Sequence, residues 1–165
     1  NQLYIMDYNR VVKDLNGHTP ATILEALATH FTVREASEAV KPNNLHEFGM
    51  YLANKWYRLT ANEGSYSNDP IGVLDVTILQ EKILTPILGV GDPRTDKRID
   101  FVGGIRGLGE LEKRVNSGDM AIAFSLYPVS IDQLFDIADS GNVMPPKSTW
   151  FEPKLRDGLL THLID

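Results

Sequence analysis

The stretch that decides the fold covers residues 99–126 and reads IDFVGGIRGLGELEKRVNSGDMAIAFSL. Apolar runs at 99–102 and 120–126 predict two strands. The segment between them carries three apolar residues on one helical face: Leu108, Leu111 and Val115. The order strand, helix, strand favours a β-α-β unit with a right-handed parallel crossover.

The remaining pattern extends this unit into an α+β fold, or a mixed α/β fold, with helices packed on a mixed β-sheet. Further strands are predicted at 2–12, 46–52, 56–61 and 158–164, and the middle two form a hairpin. One helix begins at Thr19 and Pro20, and its apolar face reaches Phe31. Other helices are predicted over 74–85 and after the capping-box pair Ser130 and Gln133.

Length and chain start bear on the domain organisation. A chain of 165 residues suits a single domain over 1–165, and the alternative is a small hairpin-bearing lobe over 1–72. The chain has no initiator Met and opens directly into the strand-like run Leu3-Tyr4-Ile5-Met6. We therefore expect a fragment of a longer protein, with the missing N-terminal part as its partner, or a chain whose true start was trimmed.

Composition excludes several function classes. The net charge is −6, so bulk nucleic-acid binding is disfavoured. There are no cysteines, which excludes disulfides and thiolate metal sites, and the four histidines have no ligand spacing. The longest apolar runs fall well short of a membrane span and no signal peptide is visible, so we expect a cytoplasmic protein.

Residues 145–156 form the strongest candidate binding segment. Three prolines keep it out of a helix, and only Leu155 is aliphatic. The candidate phosphate or substrate ligands here are Lys147, Ser148, Thr149, Trp150, Lys154 and Arg156. The cations and hydroxyls suit phosphate oxygens, and Trp150 could stack on a base. The alternative is an edge strand whose aromatic residues seal the core.

The loop before residue 99 alternates in charge and is a second candidate. Its cations Arg94, Lys97 and Arg98 could clamp a phosphate, because arginine offers a bidentate fork. Asp92 or Asp96 could bind Mg²⁺ beside them. The alternative is a solvated loop of self-neutralising pairs.

The glycine-rich turn over 103–109 joins a predicted strand to a predicted helix. Backbone N–H groups at a helix start attract anions, and Arg106 adds positive charge there. The spacing is neither the dinucleotide fingerprint nor the P-loop. The alternative is a tight turn that packs the helix closely on its strand.

Four motifs resemble a widespread prokaryotic family, domain-of-unknown-function family 1015. They are Asp7-Tyr8-Asn9-Arg10-Val11-Val12, Asp92-Pro93-Arg94-Thr95-Asp96, Phe101-Val102-Gly103-Gly104 and the run from Met144 through Lys154. The chain is similar to the C-terminal portion of such proteins. Their N-terminal part carries a Gly-His-His-Arg-type motif of ParB and sulfiredoxin-like proteins. Here Gly17 and His18 are followed by Thr19 and Pro20 instead.

The resemblance implies phosphoryl chemistry. It suggests the C-terminal part of a nucleotide-dependent small-molecule kinase, with free serine as a candidate substrate and ATP or ADP with Mg²⁺ as cofactor. The general base would then lie outside this chain. The alternative is a non-catalytic structural, dimerisation or ParB-like regulatory module, and a homodimer is compatible with either.

Overall fold

The computed structural model of the chain describes residues 3–6, 8–145 and 150–153. Its strands are β1 (Leu3–Met6), β2 (Tyr8–Val12), β3 (Phe31–Ala36), β4 (Glu47–Leu52), β5 (Lys55–Ala61), β6 (Ile99–Gly103), β7 (Ile122–Leu126) and β8 (Trp150–Pro153). Its α-helices are α1 (Pro20–Leu27), α2 (Asp75–Leu79), α3 (Leu108–Asn116) and α4 (Ile131–Asp139). A π-helical segment (Gln80–Leu84) continues α2, and a 3-10 turn (Gly104–Arg106) precedes α3.

Six strands form one sheet in the order β3-β5-β4-β7-β2-β6, and β1 pairs with β8 in a separate two-stranded sheet. Helices pack on the larger sheet, which confirms the α+β prediction. Every described strand pair is antiparallel, whereas the sequence predicted a mixed sheet. The hairpin of β4 and β5 belongs to the larger sheet, because β4 also pairs with β7.

The predicted β-α-β unit forms with one strand inserted into it. Both β6 and β7 are antiparallel to β2, so they run parallel to each other. They are not neighbours, because β2 lies between them. Local pattern predicts the order strand, helix, strand, but it carries no information about which distant strand fills the gap.

The N-terminal region departs from the predictions in two places. The predicted strand over 2–12 divides into β1 and β2, which pair in different sheets. Helix α1 begins as predicted, with the Thr19 hydroxyl accepting a hydrogen bond from the Thr22 N–H at 3.2 Å. The helix ends at Leu27, however, and Phe31 starts β3, a strand that was not predicted. The predicted strand over 158–164 lies outside the described residues.

The core lies on both faces of the larger sheet, because side chains alternate along each strand. One face packs against α1, α2 and α4 through residues that include Ile23, Leu79 and Ile137. The other face packs against α3 through Leu111. The described part of the chain contains no helix with the length and apolarity to span a membrane.

Two hydrogen bonds fasten α3 to the sheet. The Trp56 indole N–H donates to Glu112 Oε2 at 2.6 Å, and the Tyr51 hydroxyl donates to Asn116 Oδ1 at 2.8 Å. Both aromatic residues are buried. The position of α3, and with it the glycine turn at its start, is therefore set by these bonds as well as by apolar packing.

Candidate functional site

A cavity of about 440 Å³ opens on the face of the sheet that carries α2. Its polar lining within the described part of the chain consists of six residues: Arg10, Thr77, Gln80, Glu81, Asp92 and Arg94. The rest of the wall is apolar and includes Val76, Val143 and Met144. Strand β2, helix α2 with its π-helical extension and two separate loops therefore meet around one space. An apolar pocket with a few convergent polar groups is the usual form of a small-molecule site.

Arg10 is the most unusual residue of this wall. Its side chain is only 4% exposed, and burial lowers its pKa to about 9. The guanidinium donates to the Tyr8 carbonyl and lies 5.0 Å from the centre of the Phe101 ring. No carboxylate in the described part of the chain forms an ion pair with it. A cation removed from water without a counter-charge is costly, so the Arg10 guanidinium would be stabilised by an anionic partner.

Thr77 adds a hydroxyl to the same wall. It is nine-tenths buried, and its Oγ1 has no hydrogen-bond partner in the described part of the chain. Buried polar atoms in native proteins are nearly always bonded. The neighbouring Gln80 is engaged, because its amide donates to Thr85 Oγ1 at 2.8 Å. The Thr77 hydroxyl oxygen is enclosed by the protein and lacks a partner there, so Thr77 forms part of the wall without exposing that oxygen to the cavity.

Arg94 and Asp92 stand together at the rim of the cavity. The Arg94 Nε and Nη2 atoms donate to the Asp92 carboxylate at 3.1 and 3.0 Å. These bonds hold the pKa of Asp92 below its usual value and raise the pKa of Arg94. Both residues are solvent-exposed. The loop thus contains a self-neutralising pair, as the alternative interpretation predicted, and the phosphate clamp stays a prediction.

The other predicted cations of the described region lie away from this wall. Arg98 donates to Asp14 and to the carbonyls of Leu88 and Gly89, at 2.6 Å for Leu88 and 3.1 Å for Gly89. Lys97 is exposed, as is Arg106 on the 3-10 turn before α3. The structure thus brings Arg94, but not these three, to the larger cavity.

The two predicted Mg²⁺ ligands face different partners. Asp92 is bonded to Arg94, whereas Asp96 accepts the backbone N–H groups of Gly91 and Arg98 at 2.9 Å each. Within residues 8–145 no group of three or more acidic or histidine side chains is placed to hold a metal. The Mg²⁺ site stays a prediction.

The C-terminal candidates lie mostly beyond the described residues. These are Lys147, Ser148, Thr149, Lys154 and Arg156. The backbone of Trp150 is described and begins β8, where it pairs with Met6 of β1. The preceding Pro145 lines the larger cavity, so the described part of this segment ends at the cavity wall.

Sequence reasoning missed Arg10, Thr77, Gln80 and Glu81 as site residues. Arg10 belongs to the motif over residues 7–12 and directly precedes Val11 and Val12, which are fully buried. A charged residue inside an apolar strand was the available signal, because buried charges need a partner. The other three follow from the rotation of α2 and its π-helical extension, which no local pattern predicts.

A buried carboxylate, that of Asp75, directly precedes the cavity-lining residues Val76 and Thr77 in the sequence. Burial raises the pKa of Asp75 to about 7. Its Oδ1 accepts the His46 backbone N–H at 2.8 Å, and its Oδ2 has no partner in the described part of the chain. The His46 ring lies between the Val73 carbonyl (2.9 Å) and the Tyr66 hydroxyl (3.0 Å), and its Nε2 lies 4.0 Å from Asp75 Oδ1.

His46 was predicted as the first residue of a strand over 46–52. The strand begins one residue later, and His46 has the left-handed backbone angle φ 69°. This conformation is uncommon for a residue other than glycine. It turns the chain so that the backbone N–H of His46 reaches Asp75.

Comparison with known proteins identifies similarity at two levels. Residues 1–77 match the model of a family described as a protein of unknown function (DUF1015). This match supports the resemblance that the Asp7 motif indicates, and the three later motifs lie outside it. No curated protein matches the chain.

Solved structures share the fold. A free serine kinase in complex with AMP superimposes with a TM-score of 0.53 at 14% identity, covering 91% of this chain and 54% of that chain. A conserved hypothetical protein from Pyrococcus furiosus gives a TM-score of 0.54 at 16% identity, covering 91% of this chain and 56% of that chain. The chain thus spans a little over half the length of these proteins. At such identities the likeness concerns the fold.

Proposed function

We propose that this chain is part of a nucleotide-dependent small-molecule phosphotransferase, with free serine as the acceptor, and that the larger cavity binds a phosphate group. The observation that carries the proposal is the buried Arg10 guanidinium, which lines the cavity without a carboxylate partner. Phosphoryl transfer needs positioning and neutralisation of phosphate charge above all else. Arg10 supplies a cation that nothing in the described region neutralises.

The wall offers a phosphate group two cations, the buried Arg10 and the exposed Arg94. Arg10 presents a planar fork of donors, which matches phosphate oxygens. Arg94 stands at the entrance and could exchange Asp92 for a ligand oxygen, because its ion pair is exposed and therefore weak. The apolar part of the wall would exclude water from the bound group.

Other predicted residues enter the proposal with different roles. Lys147, Ser148 and Thr149 follow Pro145 of the cavity wall in sequence, and we include them, with Lys154 and Arg156, among the phosphate ligands. Trp150 would stack on the base. Arg98 would hold the loop before β6 in place, because its guanidinium donates to Asp14 and to the carbonyls of Leu88 and Gly89. Lys97 and Arg106 would attract the anion at longer range.

The catalytic groups would come from elsewhere in the protein. In this proposal the general base belongs to a ParB or sulfiredoxin-like N-terminal part, and Mg²⁺ would be held by Asp92 or Asp96 when a nucleotide is bound. The fold shared with a kinase that binds AMP supports the nucleotide in this proposal. This chain would then contribute binding and orientation.

Calorimetric titration of AMP and ADP into the chain tests the proposal. Arg10→Met should weaken binding at least about tenfold, the size of one buried charge-assisted contact. The matched control is Arg34→Met, since Arg34 is exposed on the edge strand β3. Equal affinities of the Arg10→Met protein and the control, or no binding by the wild-type chain, would reject the phosphate site.

A second candidate function is that of a dimerisation module. Ile131 and Phe135 lie one turn apart on α4 and are 51% and 63% exposed. Two large apolar side chains on one helical face suit contact with a second copy of the chain. Sedimentation of the wild type and of Phe135→Glu decides this candidate, because a dimer built on α4 would dissociate in the variant.

A further inference from the structure

A second cavity, of about 200 Å³, lies on the opposite face of the sheet from the larger one. Asn9 and Ser125 line it from β2 and β7, and Lys41 lines it from the loop before β4. Gly104 and Gly107 of the turn before α3 complete its wall. Among the residues that the structure describes, none lines both cavities. Their separation follows from strand geometry, because Asn9 and Arg10 are consecutive and point to opposite faces.

Asn9 presents an unused donor to this space. The residue is only 1% exposed, and its Oδ1 accepts the Leu126 backbone N–H at 3.0 Å. That bond fixes the orientation of the side-chain amide. Its Nδ2 makes no hydrogen bond within the described part of the chain, yet it is not among the fully enclosed polar atoms that lack a partner. The amide NH₂ group therefore faces the cavity.

The start of α3 presents further donors. The helix begins after Gly107, which has φ 78° and no side chain that could cap the helix. The first N–H groups of a helix have no acceptor within the helix, and the dipole places positive potential there. Gly107 and Leu108 line the cavity, so this end of the helix borders the same space as the Asn9 amide.

The charges around the cavity favour an anion. Lys41 is an exposed cation on the wall, and Arg106 stands one residue before Gly107. An opposing charge comes from Glu110, the acidic residue in the first turn of α3. The Ser125 hydroxyl already donates to the Val40 carbonyl at 2.7 Å and thus adds no donor.

We propose that the smaller cavity is a second anion site, which binds a phosphate group through the Asn9 amide, the N–H groups at the start of α3 and Lys41. The phosphate could be the free ion or part of a phosphorylated small molecule. This site goes beyond the proposed function, because it lies on the other face of the sheet and uses other residues.

Amide NMR of the 165-residue chain during titration with inorganic phosphate tests the site. The backbone signals of residues 108–110 and the side-chain NH₂ signals of Asn9 should shift together with one affinity. Lys41→Gln should weaken that affinity about fivefold, as expected for one exposed charge. Lys113→Gln removes the same charge from the other end of α3 and should leave the affinity unchanged.

Two more variants sharpen the test. Glu110→Gln should tighten binding, since it removes the opposing carboxylate. Asn9→Asp keeps the acceptor for Leu126 but replaces the NH₂ donor with an anionic oxygen, and it should abolish binding in a chain whose spectrum remains folded. Lys41→Gln and Glu110→Gln keep the proposal testable if Asn9→Asp does not fold, because both positions lie outside the core.

Repeating the titration with AMP distinguishes the free phosphate ion from a phosphorylated small molecule as the ligand. Tighter binding of AMP at the same signals identifies a phosphorylated ligand, and tighter binding of phosphate identifies the free ion. Arg10→Met should leave these chemical-shift changes intact. The proposal for the smaller cavity and the proposal for the larger cavity can therefore be rejected independently of each other. Absence of shifts at residues 108–110, or equal weakening in Lys41→Gln and Lys113→Gln, would overturn the proposal.

Discussion

Asn9 and Arg10 are consecutive residues of β2, yet they line two different cavities on opposite faces of the sheet. In the β2–β6 ladder Asn9 pairs with Val102, and Arg10 pairs with Phe101. Strand β2 lies between β7 and β6, so its register is held on both sides. A slip of one residue would exchange the amide and the guanidinium between the cavities.

The stability of the ligand-free protein should increase when Arg10 is replaced by Met. Burial penalises the charged guanidinium, as its lowered pKa of about 9 shows, and methionine fills similar space without a charge. We expect a gain of about 1–3 kcal/mol, as found where buried charges are replaced by apolar groups. Urea unfolding measures it. A loss of stability instead would mean that Arg10 serves the fold.

Stability should fall as the pH rises from about 4 to about 7, because of Asp75. Its folded-state pKa is raised from 3.8 to about 7, so the folded protein holds a proton that the unfolded chain releases. The contribution is complete below pH 4 and lost above pH 7, with a slope of at most about 1.4 kcal/mol per pH unit.

Asp75→Asn isolates this effect, because the amide oxygen can still accept the His46 N–H. The difference between variant and wild type at each pH cancels the other titrating groups. We expect the variant to gain stability over the wild type as the pH rises, when both are unfolded in urea from pH 5 to 8. A constant difference would contradict the raised pKa.

Replacement by Met should lower the stability of the protein at Arg98 but not at Arg94. Arg98→Met leaves the Leu88 and Gly89 carbonyls without their donor, and we expect a cost of about 1–3 kcal/mol. Arg94→Met should leave the urea midpoint unchanged but weaken AMP binding, since among the described residues Arg94 bonds only within its own loop. The reverse pattern would exchange the roles assigned to these arginines.

Two glycines form another matched pair. In Gly49→Ala the new Cβ would lie 2.5 Å from the Val40 carbonyl oxygen and would also overlap the Ser125 hydroxyl. Backbone must move, and we expect a loss of about 2–3 kcal/mol. In Gly109→Ala, at the start of α3, the new Cβ would meet no atom of the described residues within 4 Å beyond its own helix backbone and chain neighbours, so a gain of about 0.5–1 kcal/mol is expected. Thermal unfolding of both variants compares them, and equal effects would contradict the packing around Gly49.

Elements with strong local signals were predictable. The capping residues Thr19 and Ser130, the hairpin of β4 and β5 and the alternation of strand and helix after residue 99 all express periodicity or capping chemistry within a few residues. Strand β3 was missed because Phe31 also fits the apolar spacing of the preceding helix. The division of 2–12 between two sheets was missed because pairing partners are remote in sequence.

The candidate site was less predictable than the fold. Charged loops suggested Arg94 and Asp92, and both lie at the larger cavity. Arg98 carries the same charge in the same loop, yet it bonds to Asp14 and to two carbonyls. Residue type shows which groups can bind an anion, but their partners depend on contacts between distant segments.

The amino-acid sequence by itself determined the α+β class, the helix starts and the strand-helix-strand order, because these depend on interactions among neighbours along the chain. The tertiary structure alone decided that β2 enters between β6 and β7 and that its successive side chains reach separate cavities. The physical reason is that burial and charge compensation arise only when remote segments meet. Arg10 is an ordinary arginine in the sequence, and the fold makes it a buried cation.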